Sequence, residues 1–185
     1  MTDARTETIR RTALELAREA GYAKLSIEAV AARAGVGKHT VYRRWPSRGL
    51  LFLDAVLSLD TGGLDHRDTG DIKADLREIM TRAADLLGRA PWGPLYQDLI
   101  GEAQHDPKVA AALRQRFIEP QAANTVARLR TAQEQGELAP GADLDLAFDV
   151  LSGALYFRLL ITQQPLTHDY IDQVLHMVFA GLSPR

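Results

Sequence analysis

Apolar residues recur every three or four positions along nearly the whole chain, which is the spacing that keeps them on one face of an α-helix. Ile9, Ala13 and Ala17, for example, fall on one face of the first helical segment. No four-residue alternation of the strand type persists in the sequence. Gly, Pro and Asp interrupt the helical pattern at intervals. A chain of 185 residues with this pattern is predicted to form one helical domain, or a small helical domain joined to a larger one.

The predicted fold class is all-α, with an N-terminal three-helix helix-turn-helix domain followed by a C-terminal helical bundle. About nine helices are expected, covering residues 5–20, 26–35, 37–45, 47–59, 72–89, 94–104, 108–135, 143–162 and 168–181. Pro120 should kink or split the seventh of these, because proline has no amide hydrogen for the helical ladder. The segment 61–71, TGGLDHRDTGD, is rich in Gly and Asp and is predicted to be a loop.

The second and third predicted helices are short and are separated by Gly35. Ser26 is a good N-cap for the second helix, because its hydroxyl can accept a backbone N–H that has no partner within the helix. Gly35 can end that helix, since the left-handed conformation at a helix end costs glycine nothing. A long helix, a short helix, a turn with Gly and another short helix together make the outline of a helix-turn-helix.

One short segment, Gly35 to Arg48, carries four basic residues and no acidic residue, although the whole chain has a formal net charge of −2. Val41 and Trp45 are four positions apart, so they share the helix face that must pack against the first two helices. The other side chains then form an outward surface that is cationic, aromatic and hydroxylic. Such a surface could simply face solvent, but on the second helix of a helix-turn-helix it fits the major groove of B-DNA. The residues predicted to contact DNA are Ser26, Gly37, Lys38, His39, Thr40, Tyr42, Arg43, Arg44 and Arg48.

The balance of charged residues changes at the end of this basic segment, after residue 48. Residues 1–48 contain ten Lys or Arg and five Asp or Glu, whereas residues 49–185 contain twelve and nineteen. This asymmetry indicates a small basic module on a larger acidic body. We therefore expect a helix-turn-helix DNA-binding domain in residues 1–48 and a second domain in residues 49–185.

The sequence does not favour an enzyme or a cofactor. Three His–Asp neighbours, at 65–66, 105–106 and 168–169, are predicted in loops or at helix ends, and adjacent residues in a helix do not face each other. No nucleophile elbow, Walker loop or glycine fingerprint occurs. His168, Asp172 and His176 share one flank of the last helix, but two His without any Cys make a polar flank more plausible than a metal site.

A membrane protein is not expected either. No apolar run reaches about 18 residues, which a helix needs to span a bilayer. The first residues are amphipathic and of mixed charge, without the apolar core of a signal peptide. These features predict a cytoplasmic protein.

Residues 5–59, and above all the stretch SIEAVAARAGVGKHTVYRRWPSRGLL from Ser26 to Leu51, resemble the DNA-binding domain of TetR-type (tetracycline-repressor-like) transcriptional regulators. The family pattern there is a capped helix ending in Ala-Ala-x-Ala-Gly-Val, then a polar helix with Thr-x-Tyr, an aromatic residue and a cation. The matching positions are Ser26, Ala31, Ala32, Ala34, Gly35, Val36, Lys38, Thr40, Tyr42, Trp45 and Arg48. This chain departs from the usual pattern in having Gly37 for a Ser-like cap, His39 for a small residue, Trp45 for Phe, and Arg48 for Lys.

The resemblance implies a homodimer built from the last two helices, and a small-molecule pocket in a C-terminal ligand-binding and dimerisation domain, residues 49–185. The dimer-interface candidates are Gly153, Ala154, Phe157, Ile171, Val174, Leu175 and Val178. The ligand-pocket candidates are Met80, Trp92, Tyr96, Gln97, Phe117 and Tyr156. Periodicity alone allows both apolar helix stripes to pack on their own chain instead. For any single pocket candidate, core packing is the simpler interpretation.

Two functions are carried forward. The first is a sequence-specific DNA-binding transcriptional regulator, a repressor of an inverted-repeat operator that a small apolar or amphipathic ligand releases. The second is a helical-bundle protein that binds a ligand or partner and has little or no DNA binding. Salt dependence separates them, because a protein with several phosphate contacts loses DNA affinity steeply as salt rises.

Overall fold

The computed structural model describes residues 4–59 and 68–182 of the chain, and within these ranges it contains helices and no strand. This confirms the all-α prediction. The helices are α1 Ala4–Ala20, α2 Ile27–Arg33, α3 Lys38–Arg44, α4 Arg48–Leu57, α5 Ile72–Gly88, α6 Trp92–His105, α7 Pro107–Leu113, α8 Glu119–Glu134, α9 Leu144–Tyr156 and α10 His168–Leu182. Most of the predicted loop 61–71, with its His–Asp neighbours at 65–66, lies outside the described residues.

The predicted seventh helix is split into α7 and α8 by a π-helical stretch, Arg114–Ile118. Pro120 lies just beyond this stretch, in the first turn of α8. A proline cannot donate to the carbonyl four residues earlier, and its ring crowds that carbonyl, so a widened turn directly before it relieves both problems. A second π-helical stretch, Phe157–Thr162, extends α9 and ends at Gln163, whose φ is 52°.

The chain forms two compact units. The first unit combines the chain up to Asp60 with Pro94–Phe117, so it holds α1–α4, most of α6, and α7. Inside it, α1 packs on α2 and α4, and α4 packs on α7. The approach to α7 is close at Gly49, where an added Cβ would come within 2.7 Å of Val109 Cγ2. The boundaries of these compact units differ from the predicted boundary between a DNA-binding domain (residues 1–48) and a second domain (residues 49–185). That functional division stays a prediction.

The second unit comprises Thr61–Gly93 and Ile118–Arg185 and has its own apolar core. Side chains from α5, α8, α9 and α10 meet in this core, with Leu76, Leu129 and Ile171 among the most deeply buried. Hydrophobic burial on one stripe of each helix is what the sequence periodicity predicts.

A buried ion pair crosses this core. Arg128 on α8 donates its Nε–H to Asp75 on α5 at 2.8 Å, and the two side chains are only 4 % and 1 % exposed. Asp75 also accepts the hydroxyl and the amide N–H of Thr69. Burial alone would raise the pKa of Asp75, but the hydrogen bonds from Thr69 and Arg128 outweigh it and hold the pKa below its ordinary value.

Two further contacts between polar side chains of the second unit lie at its surface. Arg77 on α5 forms a bidentate pair with Asp172 on α10, at 2.6 and 2.9 Å. His168 Nε2 lies 3.0 Å from Asp85 Oδ1. Two of the three residues on the polar flank of the last predicted helix therefore contact α5. Among the residues that the structure describes, no group of three or more His, Asp or Glu could hold a metal ion.

Candidate DNA-binding site

The helix-turn-helix is built as its capping residues predict. The Ser26 hydroxyl accepts the Ala29 N–H at 3.1 Å and so caps α2. Gly35 follows α2 with φ +66°, the left-handed conformation that glycine adopts without strain. The Val36 N–H then bonds to the Ala31 carbonyl at 3.0 Å and closes the helix end. Gly37, in extended conformation, begins α3.

Val41 and Trp45 hold α3 to the first unit, as predicted. Val41 is fully buried and Trp45 is 4 % exposed. Trp45 is also the C-terminal cap of α3, and its backbone N–H bonds to the Val41 carbonyl at 2.9 Å. Burying these two residues orients the rest of the short helix.

The remaining side chains of α3 form the outward face. Lys38, His39, Arg43 and Arg44 are exposed, and Thr40 is partly buried. The Arg44 guanidinium lies 5.3 Å from the centre of the Trp45 ring, a distance typical of a cation–π contact. The face therefore offers cationic and hydroxyl groups without an acidic residue of its own helix.

One carboxylate from α2 reaches this face, which the sequence analysis missed. Tyr42 is 41 % exposed, and its hydroxyl donates to Glu28 Oε1 at 2.9 Å. A backbone hydrogen bond and the Tyr42 hydroxyl lower the pKa of Glu28, so the carboxylate is charged at neutral pH. A carboxylate in the first turn of α2 is expected to interact with the positive end of the helix dipole. Glu28 and Tyr42 are fourteen positions apart in the chain, so the sequence does not show that they meet.

Arg48 differs from the other predicted DNA contacts. Its guanidinium donates to the Ala23 carbonyl at 3.3 Å, lies 3.6 Å from Glu102 Oε2 and covers the Tyr22 ring at 4.9 Å. Burial, and then the charge of Glu102, raises the pKa of the Tyr22 phenol, so Tyr22 is neutral. Arg48 thus joins the start of α4 to the turn after α1 and to α6. The side chain is still 40 % exposed, and its contact with DNA stays a prediction.

A second group that the sequence analysis missed surrounds Asp54 on α4. This carboxylate is 7 % exposed and accepts hydrogen bonds from Arg10 Nε at 2.8 Å, from Trp45 Nε1 at 3.1 Å and from Arg116. One signal was available in the sequence: Asp54 is the only acidic residue in the apolar helix RGLLFLDAVL, and a lone carboxylate there must be paired when buried. No sequence spacing could have identified Arg116, which lies 62 positions away.

The predicted pocket residues are divided between the two units. In the first unit, Tyr96 and Phe117 contact each other edge to face, with ring centres 5.9 Å apart, and Gln97 is partly buried. In the second unit, Met80 belongs to the buried core, and Trp92 and Tyr156 are partly buried. A ligand pocket lined by these six residues stays a prediction.

The predicted dimer residues fall into two groups. Phe157 is 56 % exposed, Gly153 is exposed, and Ala154, Val174 and Val178 are partly buried. Ile171 and Leu175 are instead inside the core of their own chain, at 0 % and 6 % exposure, which corrects their assignment to the interface. The apolar stripe of α10 is broad, and the half that they occupy packs against its own chain. Among the described residues of this unit, the other large exposed apolar side chains are Leu146, Val150, Ile161 and Met177.

Comparison with known proteins identifies the family. Residues 9–55 match the family model of bacterial regulatory proteins of the tetR family, and residues 66–178 match the tetracyclin repressor-like C-terminal domain. The uncharacterized HTH-type transcriptional regulator YdeS of Bacillus subtilis is 30 % identical over 172 residues, 92 % of this chain and 85 % of that protein. The DNA-binding transcriptional repressor TetR of Mycobacteroides abscessus is 31 % identical over 160 residues, covering 86 % and 84 %.

The solved structure of the TetR family transcription regulator SCO0332 is 36 % identical, with a TM-score of 0.75 over 97 % of this chain and 98 % of that one. Within residues 4–59 and 68–182, no helix is both long and apolar enough to cross a membrane. The matches cover the helix-turn-helix and the helical bundle alike, and the chain therefore belongs to the TetR family of DNA-binding transcriptional regulators.

Proposed function

We propose that this protein is a dimeric repressor that binds an inverted-repeat operator through α3 and leaves it when a small apolar or amphipathic molecule binds. The observation that carries the proposal is the outward face of α3, which presents Lys38, Arg43 and Arg44 while Val41 and Trp45 are buried. Cations on a rigid, exposed helix supply the phosphate attraction that DNA binding requires.

Within this proposal, the two ends of α3 have different roles. Gly37, Lys38, His39 and Thr40 begin the helix, and in a helix-turn-helix the first residues of the reading helix reach the base edges. Arg43 and Arg44 then contact flanking phosphates, Tyr42 does so when its hydroxyl turns away from Glu28, and Ser26 offers its hydroxyl at the start of α2. Phosphate contacts fix the register and base contacts specify the sequence.

The proposed dimer rests on apolar surface that the chain leaves exposed. Leu146, Val150, Phe157 and Ile161 recur at helical spacing on α9 and its π-helical extension, and all are at least 48 % exposed. Met177 on α10 is 76 % exposed. A second copy that covers this stripe would give the protein two α3 helices, one for each half-site of an inverted repeat.

The dimer has its own test. Phe157→Arg places a charge in the stripe and should convert a dimer into a monomer in sedimentation velocity, with the helical circular dichroism unchanged. Arg130→Gln, an exposed change on α8, should leave the dimer intact. A parent protein that sediments as a monomer at tens of micromolar would refute this part of the proposal.

The proposed release by a ligand rests on the name of one relative and on the aromatic side chains of residues 49–185. The M. abscessus relative is named a repressor, which supports repression here. Aromatic side chains at Trp92, Tyr96, Phe117 and Tyr156 are of the type that lines sites for apolar molecules. We therefore keep residues 49–185 as the proposed ligand-binding and dimerisation domain, with a small-molecule effector as its partner.

The decisive experiment is a selection of random DNA duplexes by the purified protein at near-physiological salt, followed by sequencing. An enriched inverted repeat would support the proposal and supply the operator. Enrichment of a single half-site would support DNA reading and contradict the dimer on DNA. If a protein refolded from denaturant, and so freed of bound small molecules, enriches nothing, the proposal fails and the helical-bundle interpretation takes its place.

A further inference from the structure

Asp54 on α4 connects α1 and the π-helical stretch after α7 to the end of α3. Its Oδ2 accepts both the Arg10 Nε–H from α1 and the indole Nε1–H of Trp45. Its Oδ1 accepts a hydrogen bond from Arg116, in the π-helical stretch after α7. Both oxygens of a single carboxylate on α4 are thus shared among α1, the cap of α3 and the π-helical stretch.

The charges make this arrangement stable as an anion. Burial alone would raise the pKa of Asp54, but the hydrogen bonds from Arg116, Arg10 and Trp45 outweigh it, and the pKa lies below its ordinary value. Two guanidinium groups compensate one carboxylate, so the anion is held in place with its orientation set by directed hydrogen bonds. The side chain of Asp54 is 10 % exposed, whereas that of Arg116 is 44 % exposed.

Trp45 is the point at which this network meets α3. The residue is the C-terminal cap of the helix and is 4 % exposed, so a shift of its ring shifts the helix end. The family pattern that this segment resembles has Phe here, and Trp, unlike Phe, has a ring N–H that can donate to Asp54. The departure from the family pattern therefore adds a hydrogen bond that fixes the helix more tightly than packing alone.

We propose that Asp54 is a positioning residue for DNA reading, which orients α3 through the Trp45 indole, and that Arg116 holds Asp54 in the required place. This inference rests on the proposed role of α3 as the reading helix. Arg116 precedes Phe117, whose ring packs on Tyr96. A molecule that displaces this aromatic pair would therefore act on the Asp54 network and on the end of α3 inside one compact unit.

The test uses the full-length protein and the ratio of two affinities, one for the selected operator and one for a scrambled duplex of equal length and charge. Trp45→Phe removes the ring N–H and keeps an aromatic anchor. Arg116→Gln removes the charge at a half-exposed position. Arg130→Gln is the matched control, since it removes an exposed charge from α8, outside the network. Thermal unfolding of each variant is measured alongside.

Trp45→Phe and Arg116→Gln should each reduce the operator-to-scrambled ratio about tenfold, the change expected when one charge-assisted hydrogen bond is lost. Arg116→Lys should recover part of the ratio, and Arg130→Gln should not change it. A purely structural role would lower both affinities together through the folded fraction and leave their ratio unchanged. That result would overturn the inference.

The double variant tests the connection itself. If Arg116 acts on α3 through Asp54 and Trp45, Arg116→Gln should have little further effect on the ratio in the Trp45→Phe background. Full additivity of the two effects would show that Arg116 does not act through Trp45 and would overturn the proposed route. A parent protein with no operator preference would instead refute the proposed function, and the inference would fall with it.

Discussion

The salt dependence of operator binding should be set by the three exposed cations of α3. Lys38, Arg43 and Arg44 are exposed on one short helix, so a dimer brings about six cations to the DNA. We count each cation held against the DNA as neutralising about one phosphate, including Lys38, which lies next to the backbone while it reaches a base edge. Each neutralised phosphate contributes about −0.9 to the slope of log K against log salt concentration, which predicts a slope of about −5.4. Raising salt from about 50 to about 200 mM should then weaken binding by about 10³-fold.

Replacing one of these residues gives a quantitative test. Arg44→Gln removes two cations from the dimer and should change the slope by about 2, from about −5.4 to about −3.6. The assay is fluorescence anisotropy of a labelled operator duplex titrated with protein at several KCl concentrations. Arg130→Gln, which removes an exposed charge from α8, should keep the parent slope.

Two results would refute this reasoning. A parent slope near zero would mean that α3 does not meet phosphates at all. A slope that Arg44→Gln and Arg130→Gln change equally would mean that binding responds to the net charge of the protein rather than to the face of α3.

Four further predictions follow from contacts elsewhere in the chain. Arg128→Met should lower the free energy of unfolding by about 3 kcal/mol or more, because it leaves the buried Asp75 carboxylate without its counterion. Breaking the exposed ion pair between Arg77 on α5 and Asp172 on α10 should change the free energy of unfolding little. In the parent, denaturant unfolding should show stability from Asp75 that is present above its unfolded pKa and is lost as pH falls through its lower folded pKa. Gly49→Ala should lower the thermal midpoint by several degrees, because its Cβ would lie 2.7 Å from a methyl group of Val109 on α7. Gly101→Ala should raise the midpoint slightly, because an added Cβ meets open space there and alanine favours the helix more than glycine does. Glu28→Gln should tighten operator binding in the anisotropy assay, because it removes the one α2 carboxylate that contacts the exposed face of α3. Weaker binding by that variant would mean that the carboxylate organises the DNA-contacting face.

The helix-turn-helix was predictable residue by residue because its determinants are local. Ser26 and Gly35 act on backbone groups three to five residues away, and Val41 and Trp45 share a face by helical spacing alone. Pro120 likewise signalled an interruption that appears as the π-helical stretch before it. These are effects of chain geometry, and any fold that contains the segment must accommodate them.

The sequence predicted less well the contacts between side chains that are far apart along the chain. Arg48 was predicted to contact phosphate, and the sequence did not indicate that it also contacts the Ala23 carbonyl and Glu102. Ile171 and Leu175 were assigned to a partner subunit, yet they fill the core of their own chain. Periodicity gives the width of an apolar stripe, whereas the crossing of neighbouring helices decides which part of that stripe is covered.

The sequence by itself determined that this chain is helical, where most helices begin and end, which residues anchor α3 and which family motif the first 60 residues carry. Those properties depend on spacing and capping within a few residues. Only the tertiary structure decided that Asp54 joins Arg10, Trp45 and Arg116, because partners 44 and 62 positions away become neighbours only after the helices pack. A buried carboxylate requires compensating hydrogen-bond donors. The sequence predicts that such donors exist, but only the folded structure shows which residues supply them.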